Sequence, residues 1–485
     1  MKKHLKDIAR YHGIKANFGA ENPEVSALVL DSRLVSAGSM FFAVKGTATD
    51  AHRFIPQVIE AGAAVIVCSD LPEEINPNIA YVQVDDVQQS VGYFASAFYD
   101  NPSAQFKLVG VTGTNGKTSI CTMLYRLMTS LGHVCGLVST VEYIIGETVF
   151  TSTHTTPDPI RLNAMMHDMV EAGCTHCFME VSSHAVVQGR INGLSFDGGV
   201  FTNITHDHLD YHKTFDNYLK AKQQFFTQLP NDAFAVTNKD DRNGMVMLQN
   251  SPAARYTYAI QSPADFKCTI LESDFEGLLL KIEGEEIWFK LIGKFNAYNL
   301  LAVYATAFLL GEERHDILRH LSAQGRINGR FEVYRSARGI IGIVDYAHTP
   351  DAIENVLKTI QHIRSGNEQL ITVTGCGGNR DKEKRPLMGK VSAKLSDKVI
   401  FTSDNPRNED PSAIIEDMQN GVEASDYKKV LKIADRKEAI KTAVMLCKPR
   451  DIILLAGKGH ETYQEINGVK HPFDDRQILT EIFNA

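Results

Sequence analysis

Apolar positions fall into short runs that alternate with stretches of helical spacing, and this alternation restarts twice along the chain. "SALVLDSR" and "SMFFAVKG" read as strands, "FIPQVIEAG" as a helix, and "AAVIVCSD" and "AYVQVDD" as strands again. The helical "VQQSVGYFASAFYD" then stops at the breaker "NPS", which sets a first boundary. The next block opens with "FKLVGVTGTNGKTSICTMLYRLMTSLG", an apolar run feeding a glycine-rich turn and then a helix. Ile120, Met123, Leu124, Leu127, Met128 and Leu131 follow the i, i+3, i+4, i+7 spacing of one buried face, so they belong to the core. "HCFMEVS" and "GGVFTNI" add buried strands, and "FNAYNLLAVYATAFLLG" adds an apolar helix. After "INGRFEVY" the pattern begins again, with "GIIGIVDYA", "QLITVTG", "DKVIFTS" and "DIILLAG" as strands between helical segments.

Strands alternating with helices predict an α/β protein with parallel sheets covered on both faces. The two restarts divide the chain into 1–102, 103–329 and 330–485, and 485 residues is a length for about three domains. There is no internal repeat and no low-complexity tract.

Composition narrows the class. Hydrophobic residues at 44% and charged residues at 22% describe an ordinary globular chain. "MKKHLKDIARYHGIKANFG" lacks the apolar core of a signal peptide, and no run approaches the ~20 apolar residues that cross a bilayer, so no membrane partner is expected. Eight cysteines scattered through apolar segments suit a reduced, cytoplasmic protein. Cys174 and Cys177 in "CTHC" have metal spacing but no second pair, and read as buried strand residues. A net charge of −8 argues against bulk nucleic-acid binding. It leaves room for small anions, which loops and helix N-termini bind even in acidic proteins.

The loop "GVTGTNGKTS" is the strongest local signal. Backbone N–H groups of Gly113, Thr114, Asn115, Gly116 and Lys117 at a helix start can cradle phosphates, with Lys117 reaching the β/γ oxygens and Thr118 holding Mg²⁺. Val111 stands where the strict pattern has its first glycine, yet the strand–turn–helix context fits. "FMEVSSH" ends a buried strand on Glu180, a costly place for a carboxylate unless it is paired or bound to metal. "NITHDHLDYH" crowds His206, His208 and His212 with Asp207 and Asp210 after another strand end, where such folds place their sites.

"GTNGKT", "MEVSSH", "TNITHDHLDYH", "YLKAKQQFF", "FNAYN", "GRFE", "DYAHTPDA", "GCGGNRDKEKRP", "DNPR" and "GKGHE", in this order, resemble the Mur ligases over essentially the whole chain. Within that family the chain looks most like the members that add the third peptide residue of peptidoglycan. The resemblance implies a smaller N-terminal α/β domain for a UDP moiety, a central P-loop ATPase with a mainly parallel sheet, and a C-terminal Rossmann-like domain that brings an amino acid. It implies that ATP, with two Mg²⁺ ions, activates the D-Glu γ-carboxylate of UDP-MurNAc-L-Ala-D-Glu as an acyl phosphate, which the amine of the incoming amino acid then attacks. A monomer is expected.

Carried over by position, Lys117 stabilises the transferring phosphoryl group, Thr118 and Glu180 match ligands of one Mg²⁺, and His208 matches a ligand of the other. Lys222 in "KAKQQFF" matches a lysine that the family carbamylates, although its residue type alone suggests a helix-surface lysine. Ser119 continues the nucleotide loop, and Asn299, Arg330 and Asp345 match the remaining ATP contacts, with His348 nearby. Leu30 and Ser32 match the uridine end of the substrate. Thr155, Thr156, Ser182, Gln188 and Arg190 match its sugar–peptide end. Thr47 to Thr49 fall where other members touch the nucleotide, but "GTATDAH" lacks the His-Gln pair seen in some.

The tetrapeptide Asp404, Asn405, Pro406, Arg407 is the form that resembles meso-diaminopimelate-adding members, and Arg380, Gly457 and Glu461 match the other amino-acid contacts. Diaminopimelate is lysine with a further carboxylate, which a guanidinium fork pairs bidentately. Lysine would leave that arginine unpaired, and such a site can reject an analogue by roughly 10⁴-fold. Asp410-Pro411 also reads as the cap and first turn of a helix. The alternatives are a lysine-adding member of the family and a folylpolyglutamate synthase-like ligase, which lacks an N-terminal UDP domain.

Overall fold

The computed structural model describes residues 1–9, 11–46, 49–152 and 154–484, and is built around three large sheets. The first has five strands in the order Ile14–Gly19, Ala80–Val84, Val65–Cys68, Ser39–Phe42, Ala27–Val29; only the outer Ile14–Gly19 runs antiparallel. Helix Val87–Phe98 covers one face with Val91 and Phe94, and Asp86 caps its start by accepting from the Gln89 N–H.

The second sheet has eleven strands. Its seven inner strands are parallel, in the order Cys135–Val138, His176–Glu180, Lys107–Thr112, Gly198–Phe201, Phe234–Asn238, Ala254–Ala259, Phe266–Ser273. Both edges are antiparallel hairpins, Glu142–Ile145 with Thr148–Thr151 and Leu278–Ile282 with Glu285–Phe289. The alternation of strands and helices did not reveal these edges. Helices Lys117–Ser130 and Lys294–Leu309 pack on one face. Ile120, Met123, Leu124, Leu127 and Met128 are buried there as their spacing requires, with Leu131 packed at the margin. Truncating Leu124 or Leu127 to alanine would cost about 2–5 kcal/mol. Pro159–Glu171 and Phe215–Thr227 cover the opposite face. Cys177 lies inside strand His176–Glu180, and burial pushes its thiol and that of Cys174 up.

The third sheet runs Glu332–Arg335, Ile341–Asp345, Ile452–Ala456, Leu370–Thr374, Lys398–Phe401, Val430–Lys432, parallel except for its first strand. Helices Pro350–Ile363 and Lys384–Leu395 lie on one face and Arg436–Leu446 and Asp475–Asn484 on the other. Asp410 caps helix Pro411–Gln419 through the Ser412 N–H, as the Asp-Pro pair predicts. A separate hairpin, Tyr463–Ile466 with Val469–Pro472, lies against residues 403–407.

Candidate active site

Strand Lys107–Thr112 lies between His176–Glu180 and Gly198–Phe201, so the carboxyl ends of three central strands open at one place. The glycine-rich loop leaves the first of these and enters helix Lys117–Ser130. Gly116 sits at φ 91°, and a Cβ there would come 2.7 Å from Asn299 Oδ1, so this turn requires glycine. Lys117 Nζ curls back and donates to the carbonyls of Gly113 and Thr114 at 2.9 and 2.8 Å. Thr118 Oγ1 donates to Glu180 Oε1 at 2.8 Å, and the Thr140 N–H donates to the same oxygen at 2.7 Å. This accounts for a carboxylate that is only 1% exposed.

Lys222 is the main departure from its bland reading. It is 1% exposed, and its Nζ donates to the Gly113 carbonyl at 2.9 Å and lies 4.8 Å from the centre of the Tyr218 ring. Burial, reinforced by Lys117, pushes its ammonium well below the ordinary lysine range. His208 occupies a left-handed position (φ 56°) at the start of the short helix Leu209–His212, with its Nε2 3.4 Å from Asp207 Oδ2. Burial pushes its imidazole down toward the neutral form. His212 donates to or accepts from Ser183 Oγ at 2.9 Å. His206 lies 3.9 Å from Asp381 of the C-terminal region.

Two cavities meet at this point. The larger, about 1010 Å³, is lined by Asn115, Gly116, Ser119, Asn299, Arg330 and Asp345 together with residues 346–348. The smaller, about 330 Å³, joins Gly113, Thr114, Lys117, Thr118, Glu180, His208 and Lys222 to Arg380, Asp404, Asn405, Arg407, Gly457 and Glu461. Thr155 and Ser182 line it as well. Both include Arg330, whose Nη2 donates to Thr118 Oγ1 at 3.1 Å and whose guanidinium lies 4.7 Å from the Tyr346 ring centre. Its Nε is buried without a partner among the described residues, an orphan donor of the kind an incoming anion satisfies. Asn115 Nδ2 donating to Asp351 at 2.9 Å fastens the phosphate loop to helix Pro350–Ile363. Asp345 is buried and receives the N–H groups of Phe331 and Ala347, so it holds the turn at the junction.

On the amino-acid side, Glu461 Oε2 accepts from Asn405 Nδ2 at 2.9 Å and from Lys458 Nζ at 3.0 Å. Burial and then the neighbouring Asp404 push the Glu461 carboxyl up. Gly457 sits at φ 117°, and a Cβ there would lie 2.5 Å from Asp404 Oδ2. Arg380 is exposed, its Nη1 donating to the Asn379 carbonyl. Pro406 contributes its turn from outside the cavity lining, its carbonyl pressed against Gly378. Arg407 corrects the expectation of an arginine left unpaired without a ligand, because its Nε donates to Glu465 Oε2 at 3.2 Å and its Nη1 to the Gly378 carbonyl at 2.8 Å.

The remaining residues matched by sequence lie outside both cavities. Arg190 Nη1 donates to the Thr156 carbonyl at 2.7 Å while its Nε and Nη2 grip Gln188 Oε1. Thr156 Oγ1 in turn donates to the Glu180 carbonyl at 2.8 Å, so this group backs the cavity wall. Leu30 and Ser32 stand at the end of strand Ala27–Val29, in the N-terminal sheet region. Thr47 and Ala48 lie outside the described residues; the Thr49 carbonyl accepts from the Gly46 N–H. Lys458, Glu465 and Lys384 escaped the sequence reading, although "GKGHE" and "RDKEKRP" contain two of them.

Family models match in three segments: Mur ligase family, catalytic domain, over residues 24–99; Mur ligase middle domain over 111–307; and Mur ligase, glutamate ligase domain, over 329–459. The UDP-N-acetylmuramoyl-L-alanyl-D-glutamate--2,6-diaminopimelate ligase of Cytophaga hutchinsonii is 56% identical over 482 residues, 99% of each chain. The protein of the same name from Bacteroides thetaiotaomicron is 54% identical over 466 residues, 96% of this chain and 97% of its own. A solved structure with that name is 32% identical, with a TM-score of 0.69 covering 100% of this chain and 99% of that one.

Proposed function

This chain belongs to the Mur ligase family, and from that premise we propose that it joins meso-diaminopimelate to the D-Glu γ-carboxylate of UDP-MurNAc-L-Ala-D-Glu at the expense of ATP, a step of peptidoglycan precursor synthesis. The observation that carries the reading is the smaller cavity, in which one wall holds the phosphate loop, Glu180, His208 and Lys222 and the other holds Arg380, Asn405, Arg407 and Glu461. A carboxylate set between these walls meets both the phosphoryl donor and the amine.

The chemistry follows from what each wall offers. A carboxylate is a poor acyl donor; transfer of the ATP γ-phosphoryl group to its oxygen creates a leaving group and releases ADP. The free-base amine then attacks the acyl carbon, a proton is lost, and phosphate departs. Positioning and neutralisation of developing charge carry most of the rate. Lys117 and Arg330 face the phosphates, with Gly113 to Ser119 supplying the loop and Asn299 and Asp345 the nucleoside side.

Magnesium suits the donors present. Mg²⁺ takes hard oxygen ligands and is commonly held by one or two carboxylates plus substrate phosphates. Thr118 and Glu180 would hold one ion, and His208 with a carbamate on Lys222 the other. When bound, these ions neutralise the phosphate oxygens. Among the described residues no three of His, Cys, Asp and Glu form a cage of their own. A buried amine depressed by its surroundings is also the form that adds CO₂, losing a proton to give the carbamate.

We assign 1–102 to the UDP end, 103–329 to the ATPase and 330–485 to the amino acid, each with its own sheet. Thr155, Thr156, Ser182, Gln188 and Arg190 are assigned to the sugar–peptide portion, and Leu30 and Ser32 to uridine. All roles can be served by one chain acting as a monomer in the cytoplasm. A folylpolyglutamate synthase-like activity leaves the first sheet without a role. The test is ADP release with UDP-MurNAc-L-Ala-D-Glu as acceptor. Diaminopimelate should support turnover and L-lysine should fall far behind; equal rates would overturn the assignment.

A further inference from the structure

Arg407 is held in an unusual way. It is a side-chain-bearing residue at φ 51°, and that left-handed backbone is kept by two hydrogen bonds to the hairpin: its N–H donates to the Glu465 carbonyl at 3.0 Å, and its carbonyl accepts from the Asn467 N–H at 2.8 Å. The same Glu465 accepts from Arg407 Nε through its carboxylate, and its own N–H donates to Asn405 Oδ1 at 2.9 Å. One hairpin residue therefore fixes two of the three tetrapeptide residues that line the cavity, Asn405 and Arg407. Nε and Nη1 of Arg407 are engaged, while Nη2 has no acceptor among the described residues and the side chain lines the cavity. The acid nearest in sequence, Glu409, is spoken for: both its carboxylate oxygens receive the buried Arg385.

We propose that Glu465 is a positioning and specificity-determining residue for the incoming amino acid. This rests on the reading of Arg407 as the partner of the distal carboxylate. Two effects are separable. As a hydrogen-bond acceptor, Glu465 turns the guanidinium so that its Nη edge faces the ligand. As an anion, it offsets part of the arginine's charge, which weakens the pull on a ligand carboxylate and lowers the penalty for a ligand without one. The consequence runs against first expectation: removing this acid while keeping its shape sharpens discrimination.

Glu465→Gln keeps an acceptor and removes the charge. The ratio of kcat/KM for diaminopimelate to that for L-lysine should rise about 3–10-fold, the range of a partly exposed ion pair. Glu465→Ala removes both, and KM for diaminopimelate should rise while KM for ATP and for the UDP substrate stays as in the parent enzyme. The unchanged KM values also report that the variants are folded. In an Arg407→Ala background, Glu465→Gln should no longer change the ratio. A ratio that moves by less than twofold in Glu465→Gln, or falls, overturns the proposal. Loss of both amino acids to the same extent assigns Glu465 a structural role only and overturns it too. If Arg407→Ala itself leaves diaminopimelate turnover intact, the underlying reading of the pocket fails, and that outcome is distinct from the others.

Discussion

The phosphate loop and the amino-acid pocket face each other across one cavity, yet they treat buried positive charge in opposite ways. Around the loop, Lys117 and Lys222 donate, among the described residues, to backbone carbonyls of residues 113 and 114, and burial drives both ammonium groups below their ordinary range. In the amino-acid pocket Lys458 already pairs with Glu461 at 3.0 Å and Arg407 with Glu465 at 3.2 Å, and the fully buried Arg436 nearby pairs with Asp475 at 2.6 Å, while Arg380 and Lys384 donate to backbone carbonyls. A loop whose Lys117 has no carboxylate in hydrogen-bond contact among the described residues gains most when an anion arrives, because the ligand supplies the missing charge. A site in which Lys458 and Arg407 are already paired exchanges one partner for another there, so its yield is selectivity more than affinity. The first arrangement fits polyphosphate, and the second fits choosing between amino acids that share a head and differ at the far end.

The contrast is broken most severely from the phosphate side. Lys117→Met removes the cation without refilling it, and kcat should fall about 10²–10³-fold in single-turnover measurements, the usual loss for one preorganised charge donor at a transition state. A variant within tenfold of the parent would mean that the loop lysine is not matched to the phosphoryl group. Lys222→Ala should come next, with a loss of about 10²-fold, and short-chain carboxylates should restore part of it. Rescue separates the carbamate from a plain packing role, since a small carboxylate supplies oxygens and does nothing for a hole in the core. Full activity of the alanine variant without rescue would remove Lys222 from the mechanism.

Lys222 also marks how far the sequence could be read. The phosphate loop, Glu180 and His208 were legible because each sits in a local strand–turn or strand–loop context that survives in one dimension. The burial of Lys222 was not read from its residue type, although the signal was there: Tyr218, Ala221, Lys222, Phe225 and Phe226 are all buried and share one face of helix Phe215–Thr227, so the lysine lies on the apolar stripe. By contrast, the Arg407–Glu465 pair depends on a hairpin 58 residues away, and no periodicity specifies where that hairpin packs. The antiparallel edges were hidden for a related reason. Thr148–Thr151 is a four-residue strand exposed at every position, with no buried face to write an alternation into the sequence.

On the amino-acid side the effects should be smaller. Arg407→Ala should cost about 2 kcal/mol in kcat/KM for diaminopimelate, or about 30-fold, the low end for truncating one partner of a charge pair. Glu465 sets that limit. It already takes part of the arginine's charge, so the contact that the variant loses is weaker than that of a free guanidinium. The ATP dependence should be untouched, and KM for ATP measured alongside checks that the loss is local. A loss comparable to that of Lys117→Met would contradict the idea that Arg407 is already paired before its ligand arrives.

The mildest test uses pH to unbalance the same pocket. Glu461 is assigned to the distal ammonium of the amino acid, which it can hold only when ionised. Burial, and after it Asp404, raise its carboxyl above the ordinary glutamate value of 4.5, while Lys458 opposes them. A raised value means that protonation begins at a higher pH than for an exposed glutamate, so acidification should raise KM for diaminopimelate before it damages KM for ATP. With a cationic ligand bound, the carboxylate form is favoured, so kcat should hold to lower pH than kcat/KM does. Glu461→Gln should flatten that limb of the kcat/KM profile while retaining an acceptor for Asn405 Nδ2 and Lys458. An unchanged acid limb in the glutamine variant would assign the titration elsewhere and detach Glu461 from the ammonium. A limb that disappears, with the ATP profile unmoved, would place the proton in the amino-acid pocket, where Lys458 and Arg407 already have their acids.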